Sequence, residues 1–188
     1  MLTVGSGGQL SAALRGSATE ASGWDRSADA TVRGVTDLDD KGRPEPPLRA
    51  DETATLLAFL EWQRATLAWK CSGVDAAGLA ATVSTSSMSL GGLWKHQALS
   101  EDYWFSRQLL GRDAAEPWDS VDWTADPDWE WHSAADDTAE QLRALWEESV
   151  ERSRAAVAEA LDAGGLDGVV RRPPPDVEPA SLRGSYAI

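Results

Sequence analysis

The sequence has a single cysteine, Cys71, and two histidines, His96 and His132, among 188 residues. One cysteine excludes an intrachain disulfide and a cysteine-based zinc cluster. No apolar run approaches the roughly 18 residues that span a bilayer. Residues 1–10 have neither the basic region nor the apolar region of a signal peptide. These absences predict a soluble, reduced, cytoplasmic protein.

Basic residues are also scarce. The chain has 17 Lys and Arg against 31 Asp and Glu, a formal charge of −14 at pH 7. A surface this acidic repels phosphate backbones and anionic lipid headgroups. The composition therefore argues against nucleic acid and against a membrane surface as partners.

Tryptophan is abundant, with ten residues, while tyrosine and phenylalanine have two each. Four tryptophans crowd the acidic loop over residues 112–134, at Trp118, Trp123, Trp129 and Trp131. A loop this long inside a compact domain is typical of a functional segment or a lid. The alternative, which we favour, is that the tryptophans anchor the loop on the domain as apolar bulk.

Hydrophobic periodicity predicts an all-α fold, an up-down helical bundle with three long helices packed antiparallel. Residues 1–42 lack such a pattern and are expected to be a disordered or poorly ordered leader to a helical domain at 43–188. The predicted helices cover about 52–72, 89–111 and 137–163.

Local signals support these helix ends. Asp51 is a plausible N-cap of the first helix, and Gly111 follows the second. The run 137–140, Asp-Thr-Ala-Glu, predicts a capping box at the start of the third.

After the third helix, a Pro-rich connector at 171–175 leads to Ser181, Leu182 and Arg183, which look like the entry to a fourth helix. The fourth helix is expected to be missing. Its absence would leave an apolar groove, which predicts a homodimer, a bound partner or poor solubility. Residues 184–188 are consistent with a frameshifted reading of such a helix.

Several stretches together resemble a bacterial family of the DinB-like superfamily, which also holds mycothiol-dependent maleylpyruvate isomerases and other thiol S-transferases. The resemblance covers roughly residues 36–183. The stretches that carry it are residues 42–47, 56–60, 64–71, 88–90 with His96, and 101–105.

The resemblance implies a four-helix bundle and, in members that bind metal, three histidine ligands for a divalent ion such as zinc or nickel. His96 matches the ligand on the second helix, and Glu101 matches an acidic residue that usually follows it, while Gln97 replaces a usual leucine. The other two ligands form an H-x-x-x-H pair on the fourth helix, which does not follow Arg183 here. One imidazole alone holds a metal poorly.

The implied function is therefore that of a lineage of metal-dependent thiol S-transferases and isomerases that use a low-molecular-weight thiol, expected to be inactive in this chain. The alternative is a non-catalytic helical module for binding or oligomerisation. Neither the substrate nor any catalytic or cofactor-binding residue is assigned.

The remaining candidates have simpler explanations. Cys71 lacks nearby basic groups and is expected to be a small buried hydrophobe. The alternatives for His132 are a metal ligand and a surface loop residue, of which we favour the second. The alternatives for Glu101 are a carboxylate that orients a metal ligand and one that pairs with an arginine at the edge of the bundle. The loop aspartates lack the pattern of a calcium-binding loop; they are Asp119, Asp122, Asp126 and Asp128.

Overall fold

The structure is a computed structural model that describes residues 37–82, 86, 88–173, 178 and 180–185. Nearly all of the predicted leader and the last three residues lie outside this part of the chain. Within it there is no β-strand, and extended pairing is limited to isolated bridges such as that between Thr82 and Ser89. No helix there is long and apolar enough to cross a membrane.

The all-α fold and its three long helices are confirmed. The helices are α1, Glu52–Cys71; α2, Ala76–Ala80; α3, Leu90–Glu101, continued by a π-helical segment, Asp102–Leu109; α4, Trp129–Ser133; α5, Ala139–Gly164; and α6, Leu182–Ser185. Short 3₁₀ turns follow α4 and α5.

The helix ends follow local chemistry, with one correction. Asp51 caps α1, because its side chain accepts a hydrogen bond from the amide of Ala54 at 2.8 Å. The predicted capping box is displaced by one residue. Thr138 caps α5 in reciprocal hydrogen bonds with Gln141, while Asp137 lies outside the helix and binds Lys95.

The helix α3 runs parallel to α5, so the predicted antiparallel order is wrong for this pair. Near the start of both helices, the rings of Trp94 and Trp146 lie 6.4 Å apart. Farther along both, the hydroxyl of Ser153 donates to Glu101 at 2.6 Å. The long connection over 110–138 carries the chain back along the bundle, which a short loop cannot do.

The helix α1 is antiparallel to both partners. Arg64 lies beside Glu101, whereas Leu60 and Leu57, earlier in α1, pack on the cluster that contains Phe105 and Leu109. This cluster closes one end of the bundle. Its buried members are Phe105, Leu109, Leu110, Ala156, Val157, Ala160, Leu166, Val170 and Leu182.

A buried ionic network joins the three long helices. Arg64, with 4% of its side chain exposed, donates to Glu101 at 2.8 and 2.5 Å and to Glu61 at 2.6 Å. It also donates to the hydroxyl of Ser153. Burial acts to raise the pKa of Glu61, but the hydrogen bond from Arg154 and the charge of Arg64 hold that pKa below its usual value. The network fixes α1 against α3 and α5.

Candidate functional site

A pocket of about 450 Å³ opens along one face of α3 and its π-helical continuation. The spacing of its lining residues places them on one side of a continuous helix. They are His96, Leu99, Ser100, Tyr103, Trp104 and Arg107, joined by Trp123 from the long loop. The site therefore combines an aromatic wall with one imidazole and one guanidinium group.

The π-helical segment contributes three of the six helical residues that line the pocket, which are Tyr103, Trp104 and Arg107. π-Helical segments are rare and occur frequently at functional sites, since their wider turn displaces side chains from the ordinary helical register. The guanidinium carbon of Arg107 lies 5.5 Å from the ring centroid of Tyr103. The sequence predicts a continuous helix here and gives no sign of the wider turn.

His96 is held by two residues of the long loop. Its Nδ1 lies 2.9 Å from Oε1 of Glu130, and its ring stacks on Trp131 with centroids 4.8 Å apart. When Glu130 is ionised, its carboxylate only accepts hydrogen bonds, so Nδ1 is the donor in this contact, and a neutral imidazole in this position keeps its lone pair on Nε2. The Glu130 side chain is 7% exposed, against 37% for His96. A buried carboxylate thus orients an imidazole that remains open to the pocket.

Gly92 permits this arrangement. A Cβ atom at Gly92 would lie 2.7 Å from the ring of Trp131, so a larger residue would displace the ring that stacks on His96. A Cβ atom at Gly91 would lie 3.3 Å from Leu142 of α5, which is a tight contact but a less severe one. Glycine destabilises a helix interior by about 1 kcal/mol relative to alanine. Here that cost is offset by close packing on two sides of α3.

The loop tryptophans both anchor the loop and build the site. Trp118 is fully buried and packs edge-to-face on Trp129, which in turn contacts Trp123 of the pocket wall. The buried Lys95 lies 4.4 Å from the ring centroid of Trp129 and forms an ion pair with Asp137. The segment that contributes Trp123, Glu130 and Trp131 is therefore fixed against α3.

The other acidic and histidine residues that the sequence singled out do not contact His96 and have other partners. Glu101 pairs with Arg64 in the buried network, and the carboxylate on His96 is that of Glu130, which sequence analysis did not single out. His132 is exposed and bonds Asp126 at 3.0 Å, which raises the pKa of the imidazole. Asp122 accepts hydrogen bonds from loop amides.

Cys71 lies buried at the end of α1, and burial raises the pKa of its thiol to about 11. Because the thiolate is the nucleophile, we expect iodoacetamide at pH 8 to label the folded protein at least about a hundredfold more slowly than the urea-unfolded protein. Mass spectrometry of timed samples measures both rates. Equal rates would show that Cys71 is accessible.

A metal centre requires more ligands than His96. The part of the chain that the structure describes contains no group of three or more His, Cys, Asp or Glu side chains placed to hold a metal ion. Its residues therefore do not fit the three-histidine site that the resemblance implies. What they provide is an oriented imidazole with one open nitrogen beside an aromatic pocket.

Fold and site together define a helical bundle with a partly aromatic pocket beside an oriented histidine. A model of the mycothiol-S-transferase family matches residues 55–187, well over half of the chain. The protein belongs to this family. The match includes α3, the long loop and α5, and so every residue of the pocket. No curated protein and no solved structure matches the chain.

Proposed function

We propose that this protein is a thiol S-transferase that binds a low-molecular-weight thiol, mycothiol or a close analogue, in the pocket beside His96. The observation that carries the proposal is the contact between His96 and Glu130, which leaves Nε2 as the open nitrogen at the pocket. Membership of the mycothiol-S-transferase family supports the class of reaction.

His96 acts as the general base in this proposal. Nε2 takes the proton of the bound thiol, and the buried carboxylate of Glu130 stabilises the imidazolium that forms. The thiolate then attacks the electrophilic carbon of the acceptor. A carbon–sulfur bond forms, the bond to the leaving group breaks, and the leaving group departs with the electron pair. The proton on Nε2 passes to that group or to water.

The aromatic wall has a separate role. Side chains such as Tyr103, Trp104 and Trp123 present large rigid surfaces that bury an apolar or planar ligand. Displacing water from the pocket strengthens the interaction of His96 with the thiol proton. Binding and proton transfer therefore take place on the same face of α3.

Divalent metal remains a prediction from the family resemblance alone, and no step of this mechanism depends on it. The expected inactivity rested on the absence of a complete set of histidine ligands. The proposed chemistry uses an acid–base pair instead, with one partner on α3 and the other on α4.

The test is to incubate the full-length protein with mycothiol and a small aryl or alkyl halide, and to measure the thioether by mass spectrometry. We expect saturable formation above the rate in buffer, with the protein unchanged in mass. Product at the buffer rate only would contradict the proposal and favour the non-catalytic module.

Light scattering of the same sample tests the homodimer predicted from the sequence.

A further inference from the structure

Arg107 lines the pocket and has no carboxylate partner in the part of the chain that the structure describes. Among the described residues, every other arginine except Arg49 forms an ion pair with a carboxylate. The chain has 31 Asp and Glu against 17 Lys and Arg, so carboxylates are available in excess, yet no described carboxylate pairs with Arg107. Arg49 is exposed, whereas Arg107 lines the pocket.

The guanidinium group of Arg107 is also incompletely satisfied. Its Nε is buried and has no hydrogen-bond partner among the described residues. The ring of Tyr103 stabilises the charge but does not take the place of a carboxylate acceptor for that donor. The terminal nitrogens of Arg107 also form no hydrogen bond with the described residues, and unlike Nε they are not buried, so an acceptor on a ligand in the pocket can reach them.

We propose that the pocket accepts an acceptor substrate that carries a carboxylate on a planar, apolar body, with Arg107 as the residue that binds the carboxylate. This inference rests on the proposed function, because it names the class of acceptor for the same site. The flat fork of a guanidinium group matches the two oxygens of a carboxylate. The planar body packs against Trp104 and Trp123, which line the same pocket.

The positions of Arg107 and His96 determine how the acceptor substrate is oriented in the pocket. Arg107 lies eleven positions after His96 on the same side of the continuous helix that α3 forms with its π-helical continuation, a little under three turns away. A carboxylate at Arg107 therefore places the far end of a planar acceptor toward His96, where the thiol is activated. Arg107 sets specificity and takes no part in proton transfer.

The experiment compares 4-chloro-3,5-dinitrobenzoate with its uncharged carboxamide. Both have the same electrophilic carbon, from which a thiolate displaces chloride. Equilibrium binding to the full-length protein without thiol is measured by quenching of tryptophan fluorescence. We expect the carboxylate to bind about 10- to 100-fold more tightly than the amide, the range of a charge-assisted hydrogen bond.

Two variants complete the test. Arg107→Met is expected to abolish the preference by weakening the carboxylate and not the amide. Arg49→Met removes the same charge outside the pocket and is expected to keep the preference. Equal binding of the two probes to the unaltered protein, or a preference that survives in Arg107→Met, would overturn the inference. Because binding is measured without thiol, this result is separate from the success or failure of S-transfer.

Discussion

Arg64→Met is expected to lower the free energy of unfolding by about 3–5 kcal/mol, because it removes one partner from a buried ion pair. The variant leaves Glu101 with 10% of its side chain exposed and without its bidentate partner. The hydroxyl of Ser153 remains, but it does not neutralise the charge. Urea unfolding followed by circular dichroism measures the change.

Arg143→Met is the matched control. Arg143 forms an ion pair with Glu147 within α5, and both side chains are about 40% exposed. Loss of this exposed ion pair is expected to change the free energy of unfolding by less than about 0.5 kcal/mol. Replacing Arg64 and Glu101 together with methionine should recover part of the loss. If Arg64→Met costs less than about 1 kcal/mol, water must reach Glu101, and the network does not hold α1 as described.

His96→Gln is expected to reduce the rate of thioether formation about 10²- to 10⁴-fold, the range that general base catalysis contributes. Glutamine keeps a polar side chain of similar length but does not accept the thiol proton. The substitution leaves the buried ionic network untouched, so the unfolding curve should change little. The measurement is kcat/KM with mycothiol and a fixed acceptor.

His132→Gln is the control for that variant, since His132 lies on the loop surface and bonds only Asp126 among the described residues. Its rate should match that of the unaltered protein. Zinc and nickel measured in the same samples add an independent readout. Metal present in the protein and in His132→Gln but absent from His96→Gln would show that His96 is a ligand, and would assign the rate loss to the metal and not to a base.

The helices were predictable because their signals are local. Asp51 and Gly111 mark helix ends through hydrogen bonds and backbone conformation that involve only a few neighbouring residues. The direction of α5 was not predictable in this way. Periodicity shows which face of a helix is apolar, but it does not distinguish a partner that runs parallel from one that runs antiparallel.

The site was predictable in part. His96 was singled out by resemblance, and it does line the pocket. Glu130 was missed because it lies 34 residues away in an acidic loop, where one more carboxylate is not distinctive. Arg107 was missed because its significance depends on the lack of a carboxylate partner, which only the packed structure reveals. The Gly91-Gly92 pair was the available signal, since two glycines inside a helix indicate close approach of other chain segments.

The parallel arrangement of α3 and α5 also has a consequence for folding kinetics. The contacts of Trp94 with Trp146 and of His96 with Glu130 join residues 52 and 34 positions apart, so each requires closure of a long chain segment. Helices form locally and fast, whereas such distant contacts form later and limit the rate. During refolding, most of the helical circular dichroism signal should therefore return before Glu130 of the long loop contacts His96. The newly made chain would then pass through a helical stage in which the pocket has not yet formed.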